Sequence, residues 1–376
     1  MRVFTPADIL LPRVDDMTKW SCIACDQFTA EPEYWREAER IVGSEPSTLR
    51  LMLPEAWLGL RDSAAETRKI YAAMKDYVNR GIFRTVEQSF IYVERTLPSG
   101  AVRRGLVGKL DLECYDWAPG SATPVRATEG TVESRLPARV EVRRGATLEM
   151  PHIMVFINDP GNSIIPSAAG GEALYDFELM LGGGRVRGSR VSGAEAERLS
   201  RITEDLLRLT RLDSGVLEKP VEVEVLPVLE QVMRMMSLVA QEKGTDLTYR
   251  AEGTCTVLAS RDEIHQVIYN LTDNAVKYTP PGSTVQVSLL HQGDQVVLRV
   301  EDNGPGIPEG DLPRIFERFY RVDKARSRAA GGTGLGLAIV SDTVSKRGGT
   351  VEAANRPGGG AVFTVRWPWR EGGGER

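Results

Sequence analysis

Histidine is scarce in this chain of 376 residues, which has three: His152, His265 and His291. Cysteine is hardly commoner, with four. No apolar run approaches the length of a membrane span, and the opening MRVFTPADILLP lacks a signal-peptide pattern. Neither sign of charge dominates, because 47 basic and 52 acidic residues are interspersed to a net −5. Each shortage excludes something. The balanced charge leaves no footprint for nucleic acid or an anionic lipid surface. The missing span and leader predict a cytoplasmic chain. The CIAC stretch at Cys22–Cys25 has C-x-x-C spacing. A structural zinc site takes four ligands, and neither a second pair nor a histidine cluster supplies them. Cys22, Cys25, Cys114 and Cys255 therefore read as reduced, semi-buried thiols.

A chain of this length accommodates two domains, and its character changes near residues 182–194. GGGRVRGSRVSG is glycine-rich and non-periodic, so it reads as a junction loop. Before it, residues 1–181 alternate helical and strand patterns, which predicts a mixed α+β or α/β domain. AETRKIYAAMKDYVNRG carries Ile70, Met74 and Tyr77 at helical spacing with a glycine stop. SFIYVERTLPSGAVRRGLVGKLDLE reads as strand, turn and strand.

After the junction, Leu199, Ile202, Leu206 and Leu209 recur at three and four residues and predict an amphipathic helix over 195–213. Each leucine-sized side chain gains about 1.5–3 kcal/mol on burial, so this stripe requires a partner surface. Periodicity alone also fits a plain core-facing helix. Next, LPVLEQVMRMMSLVAQEKG places Leu229, Val232, Met236 and Val239 on one face and stops at Gly244. The stretches DLTYRA and TVLA read as strands. RDEIHQVIYNLTDNAVKYTPPG then reads as a helix that Asp262 caps and Pro280 ends.

On that helix Asn270 and Asn274 are four apart, with Lys277 one turn below. Two amide oxygens and an ammonium on one ridge suit a magnesium–triphosphate: hard oxygen for the metal, positive charge for phosphate. TVQVSLLHQGDQVVLRVEDNGPGIP follows as two alternating strands ending in a carboxylate and a tight glycine turn. Asp302 there can accept a hydrogen bond from an adenine amine, while Gly304 and Gly306 let the backbone approach the ring. DLPRIFERFYRVDKARSRAAGGTGLGLAIV gives a short helix, a basic glycine-rich loop and a new helix. Gly332, Gly334 and Gly336 allow phosphate to approach that helix's N-terminus, with the loop as a lid.

Taken in this order, the motifs resemble the C-terminal part of a sensor histidine kinase of the gyrase/chaperone/kinase ATPase superfamily, over residues 195–369. NLTDNAVKYTP resembles the asparagine box, EDNGPGIP the first glycine box, IFERFYRVD the phenylalanine box, and GGTGLGLAIV the second glycine box. GGTVEAANRPGGGAVFTVRWP resembles the closing hairpin. The resemblance implies a two-layer α/β sandwich at 221–369, a mixed sheet with helices on one face, and a tail at 370–376. It implies that Asn274 ligates Mg2+, that Asn270, Lys277 and Arg321 approach the phosphates of ATP as the catalytic set, that Tyr278 and Ile307 line the nucleotide site, and that Asp302 reads the adenine amine. Thr333, Gly334, Leu335, Gly336 and Leu337 form the base of the lid. In ATP-hydrolysing members of the superfamily a glutamate stands where Asn270 stands here. An amide cannot act as a general base, so the site is expected to hold ATP for transfer.

The first half is similar to a second family, an uncharacterised bacterial and archaeal one known as domain of unknown function 1015. The matching stretches include PADILLP, DMTKWSCIACDQFTAEPEYW, STLRLMLPEA, RRGLVGKLDLE, RATEGTV, EMPHIMVFINDP and LYDFELMLGGG, ending near Val191. The chain thus reads as chimeric, the front of one domain joined near Val191–Gly193 to part of another, by natural fusion, truncation or artefact. In a histidine kinase the phosphoacceptor lies on the helix before 195–213. None of the three histidines fits that motif. Pro166, Gly170, Gly171 and Gly182–Gly184 oppose a helix upstream. The expectation is a kinase-type protein that binds Mg·ATP and lacks its own acceptor. A partner in trans, paired along the leucine seam as homodimer or heterodimer, would supply the acceptor, and a response regulator would follow. Two alternatives stay open: an ATP-binding regulatory module without transferase activity, and a serine-directed anti-sigma-type kinase. A third reading places the function in the first half.

Overall fold

The computed structural model describes residues 3–116, 118, 123, 125–126, 133–150, 164–213, 219–322 and 332–371. His152, most of the stretches RATEGTV and EMPHIMVFINDP, most of the lid loop and the last five residues lie outside that set. Two compact units divide the chain: Met1–Glu113 with Ala127–Ser200, and Cys114–Arg126 with Arg201–Arg376.

The first unit contains strand β1 (Ala7–Pro12) and helix α1 (Pro32–Val42), which buries Trp35, Ala38 and Val42. Helix α2 (Ser63–Asn79) starts where Asp62 accepts bonds from the N–H groups of Ala64 and Ala65. Its Ile70, Met74 and Tyr77 are buried, as their spacing predicts. Strand β2 (Phe83–Ser89) pairs antiparallel with β1. Strands β3 (Ile91–Thr96), β4 (Val102–Val107), β5 (Glu172–Glu178) and β6 (Arg185–Arg190) form a sheet in the order β4-β3-β6-β5.

Strand β6 corrects the sequence reading. Residues 185–190 were expected in a junction loop, yet they form an inner strand paired on both sides. Glycine hid the pattern. At Gly188 a Cβ would stand 2.1 Å from the ring of Tyr175 on the neighbouring strand, and at Gly184 2.0 Å from the carbonyl oxygen of Thr96. These positions are empty of side chain because neighbours fill the space.

Helix α3 (Gly193–Asp213) follows, close to its expected 195–213, and its residues from Arg201 onward belong to the second unit. Leu199, Ile202 and Leu209 are already buried within the single chain, so the seam expected to pair with a partner is largely covered.

Strand β7 (Val221–Glu224) leads the rest of the second unit, followed by α4 (Val225–Lys243), β8 (Asp246–Glu252), β9 (Thr256–Ala259) and α5 (Arg261–Tyr278). Strands β10 (Thr284–Gln292) and β11 (Gln295–Asp302), helix α6 (Gly336–Lys346), and strands β12 (Thr350–Asn355) and β13 (Ala361–Pro368) complete it. The main sheet runs β8-β10-β11-β13-β12, with β8 parallel to β10 and the other pairs antiparallel. The strand β7, not foreseen, pairs with β9. One core joins α4, α5 and α6 to the sheet: Leu229, Val232 and Met236 meet Ile264, Ile268 and Leu271, Val340 and Val344, and Val287, Leu298 and Val365. This is the expected two-layer α/β sandwich.

Capping fixes α5, but not as expected. Ser260, not Asp262, is the N-cap: its hydroxyl accepts from the N–H of Glu263, whose carboxylate accepts from the N–H of Ser260. Asp262 lies inside the first turn, where its charge suits the helix dipole. Gly244, at φ +71°, closes α4 in the left-handed conformation. Among the described residues no helix is long and apolar enough to cross a membrane.

Candidate functional site

Helix α5 carries Asn270, Asn274, Lys277 and Tyr278 into a cavity of about 740 Å³ in the second unit. Asp302, at the end of β11, lines the same cavity with Gly306 and Ile307. So do Arg321, Gly332, Thr333, Gly334, Gly336 and Leu337. Elements far apart in sequence thus meet because the sheet brings the end of β11 beside α5.

Two expected residues do not line the cavity and act from behind it. The N–H of Gly304 donates to Asp302 Oδ1 at 2.8 Å, and a Cβ there would fall 2.9 Å from Thr279 Cγ2. Leu335 is fully buried and is the N-cap residue of α6.

Asp302 is buried and oriented by backbone. Its Oδ1 accepts both the Gly304 bond and one from the N–H of Ala361, at 3.2 Å. Behind the glycine turn, Asn355 accepts from the N–H of Ile307 at 2.8 Å and donates to its carbonyl at 2.7 Å. Gly306 sits at φ +74°, and a Cβ there would meet that amide oxygen at 2.8 Å. Asn355 and Ala361 escaped the sequence reading, since neither belongs to a motif that signals a ligand.

Asn270 is already pinned: it donates to the carbonyl of Gly336 at 3.0 Å and accepts from Gln266 at 2.9 Å. The amide therefore couples α5 to the first turn of α6. Gly334, at φ +74°, packs on the backbone of Phe319, whose N–H donates to the Gly334 carbonyl at 2.8 Å.

Electrostatics mark the floor. Burial pushes the Lys277 ammonium below its ordinary pKa; Asp273 opposes this, and Arg201, Arg321 and Lys243 add repulsion. Burial raises the Asp273 carboxyl, against the pull of Lys277 and Arg201. Asp273, Asp205 and Arg201 all line the cavity and were missed; on a helix face they look like ordinary solvated charges. Asp205 is pushed up to about 6 by burial, although it accepts a 2.8 Å hydrogen bond from the hydroxyl of Thr333.

The histidines stand apart. His265 is half-buried and stacks on Tyr269 with ring centroids 6.3 Å apart. His291 lies in β10, stacked on Trp369 at 4.5 Å. The four cysteines are free, and no cluster of metal-ligating side chains occurs among the described residues.

Two family models match. Residues 9–214, more than half of the chain, match a family of proteins of unknown function, DUF1015. The chain belongs to that family. Residues 259–371 match the histidine kinase-, DNA gyrase B- and HSP90-like ATPase domain, so the walls built from α5, β11 and α6 belong to an ATPase domain of histidine kinase type. The DUF1015 match runs past Val191 to residue 214 and so includes α3, which the ATPase match does not.

Among relatives, the sensor-like histidine kinase SenX3 of Mycolicibacterium smegmatis is 36% identical over 176 residues, 46% of each chain. The signal transduction histidine-protein kinase BaeS of Escherichia coli is 35% identical over 46% of this chain and 38% of its own. The probable sensor histidine kinase TcrY of Mycobacterium tuberculosis reaches 41% over 48% and 37%. The chain thus spans less than half the length of these relatives. Full-length ShkA in complex with AMPPNP, a solved structure, is 31% identical over 48% of this chain and 37% of that one, with a TM-score of 0.43. The ATPase domain is thus similar to those of sensor and signal transduction histidine kinases.

Proposed function

We propose that the ATPase domain binds Mg·ATP as the donor for phosphoryl transfer to a histidine supplied by another chain. One observation carries the reading: helix-borne amides, a backbone-oriented carboxylate and a glycine-hinged helix start line one cavity. Asp302 reads the adenine amine, and Tyr278 and Ile307 flank the base. Lys277 and Arg321 take the phosphates, and Asn270 holds the wall they rest on.

Magnesium fits the donor set. Asn274 lines the cavity, an amide oxygen is a hard ligand, and Mg2+ needs few protein groups when phosphates and water complete its shell. Bound there, it would neutralise charge on the transferred group. Asn270 offers no carboxylate to activate water, which favours transfer over hydrolysis.

His265 and His291 are each stacked on an aromatic ring, at 6.3 and 4.5 Å, which supports an acceptor on a different chain. A response regulator would then take the phosphoryl group. The test is transfer of label from ATP, by the chain alone and mixed with the isolated histidine hairpin of a full-length kinase. Label on the hairpin only with both present supports the reading. Label on this chain alone, or on neither, overturns it.

One observation favours a second reading, an ATP-binding regulatory module. Leu199, Ile202 and Leu209 are buried within the single chain, so the helix face that would dock a partner hairpin is occupied. ATP binding without transfer to any hairpin is the outcome that selects it.

A further inference from the structure

We propose that the polar face of α3 completes the phosphate subsite of the nucleotide cavity, with Arg201 as a phosphate-binding residue contributed from outside the matched ATPase domain. The inference rests on the Mg·ATP reading above.

Geometry comes first. Arg201, Glu204, Asp205 and Arg208 follow the interval i, i+3, i+4, i+7, which is one face of a helix, and all four line the cavity. The apolar stripe Ile202–Leu209 occupies a different face and is buried. The helix thus presents charge to the cavity by design of its repeat.

Two ties hold that face in place. Thr333, at the base of α6, donates to Asp205 at 2.8 Å. One turn or more beyond, Arg318 binds Asp213 through two bonds of 2.8 and 2.6 Å and reaches Asp342 at 2.9 Å. Both ties attach α3 to segments that border the nucleotide cavity.

Charge then points to the ligand. Arg201, Arg321 and Lys243 all act repulsively on Lys277, so four cations converge on one region. Lys243 is turned to the carbonyls of Val276 and Lys277. The Arg201 side chain makes no hydrogen bond or ion pair within 4 Å among the described residues, in a helix held by its own backbone bonds. The cavity's carboxylates are Glu204, Asp205, Asp273 and Asp302; Asp205 accepts from Thr333, Asp302 accepts from backbone N–H groups, and Asp273 is the one whose charge acts on Lys277. Like charges gathered on a low-dielectric wall repel one another until an anion arrives. A triphosphate supplies more negative charge than Asp273 can, and the planar guanidinium of Arg201 suits its paired oxygens.

The test is calorimetric binding of ATP, ADP and adenosine to the full chain with Mg2+, for the parent and for Arg201→Gln and Arg201→Lys. Arg201 is exposed, so neither variant threatens the fold. Loss of one charge-assisted contact predicts ATP binding weaker by about tenfold in Arg201→Gln, a smaller loss for ADP and none for adenosine. Arg201→Lys should keep most of the affinity. Unchanged ATP affinity in Arg201→Gln overturns the inference and leaves the nucleotide reading standing. Tighter ATP binding in that variant also overturns it, because α3 would then be obstructing the site. A parent chain that binds adenosine and ATP equally, or neither, overturns the nucleotide reading itself.

Discussion

The Thr333 hydroxyl lies 2.8 Å from the Asp205 carboxylate, joining the base of α6 to a helix 128 residues earlier in the chain. The acid in that bond is held at about 6, above its ordinary value, because burial outweighs the stabilisation from Thr333. The folded form therefore binds a proton more tightly than the unfolded chain does. Stability from this group is fully present below about pH 4 and is lost as pH rises through 6. Asp205→Asn keeps an acceptor for Thr333 and removes the charge. Melting temperatures across pH 4–8 should show the variant gaining on the parent as pH rises, by about 1–3 kcal/mol at neutrality. Parallel curves would refute the assignment.

A sharper test of the proposed adenine contact lies at Asp302. Both bonds to its carboxylate end on Oδ1, from Gly304 and Ala361. Asp302→Asn preserves size and one acceptor oxygen, but turns the other oxygen into a donor that opposes the adenine amine. Affinity for ATP should fall by about 10–100-fold, as expected when a charged acceptor is replaced by a mismatched donor. Melting should change far less. Equal ATP affinity in the two proteins would remove Asp302 from base recognition.

Gly360 supports that acid from the other side. Its φ is +93°, and a Cβ would stand 1.9 Å from the carbonyl oxygen of Asp302. Gly358, two residues earlier, has φ +91° and open space around its Cβ position. Gly358→Ala should cost only backbone strain, about 1–2 kcal/mol. Gly360→Ala adds a collision with backbone and should cost clearly more, with loss of ATP binding. Urea denaturation of both separates strain from collision; equal midpoints would show that the β13 hairpin yields freely.

These sites differ in how visible they were beforehand. That Asn270, Asn274, Lys277, Asp302, Gly306, Gly334 and Gly336 share one cavity was legible because their types and spacing follow local motifs. Asn355 and Gly360 were not, since their task is to fit neighbours distant in the sequence. Arg201 and Asp205 look like any solvated helix charge until α3 is laid beside Thr333. Strand β6 was hidden by Gly184 and Gly188, whose missing side chains erase the two-residue alternation on which a strand reading depends. Ser260 was passed over because Asp262, two residues on, is an equally good capping type.

The Ser260 cap also carries a prediction about stability. Glu263, which closes the capping box, is bound by Arg347 from the end of α6, with Arg347 Nη2 2.8 Å from Oε1 and Nε 2.9 Å from Oε2. Both side chains are largely buried, at 8% and 15% exposure. Arg347→Met would leave the Glu263 carboxylate buried with only the Ser260 N–H, and breaking such a pair costs about 3–5 kcal/mol at full burial, with somewhat less expected here. Glu263→Gln keeps the cap bond and one acceptor for Arg347, but removes the opposite charge beside the guanidinium. A double variant, Glu263→Gln with Arg347→Met, removes both charges and should recover much of the loss. Chemical denaturation of the three proteins decides it: if the double variant is as unstable as the sum of the single ones, the two charges act independently and the proposed coupling of α5 to α6 is wrong.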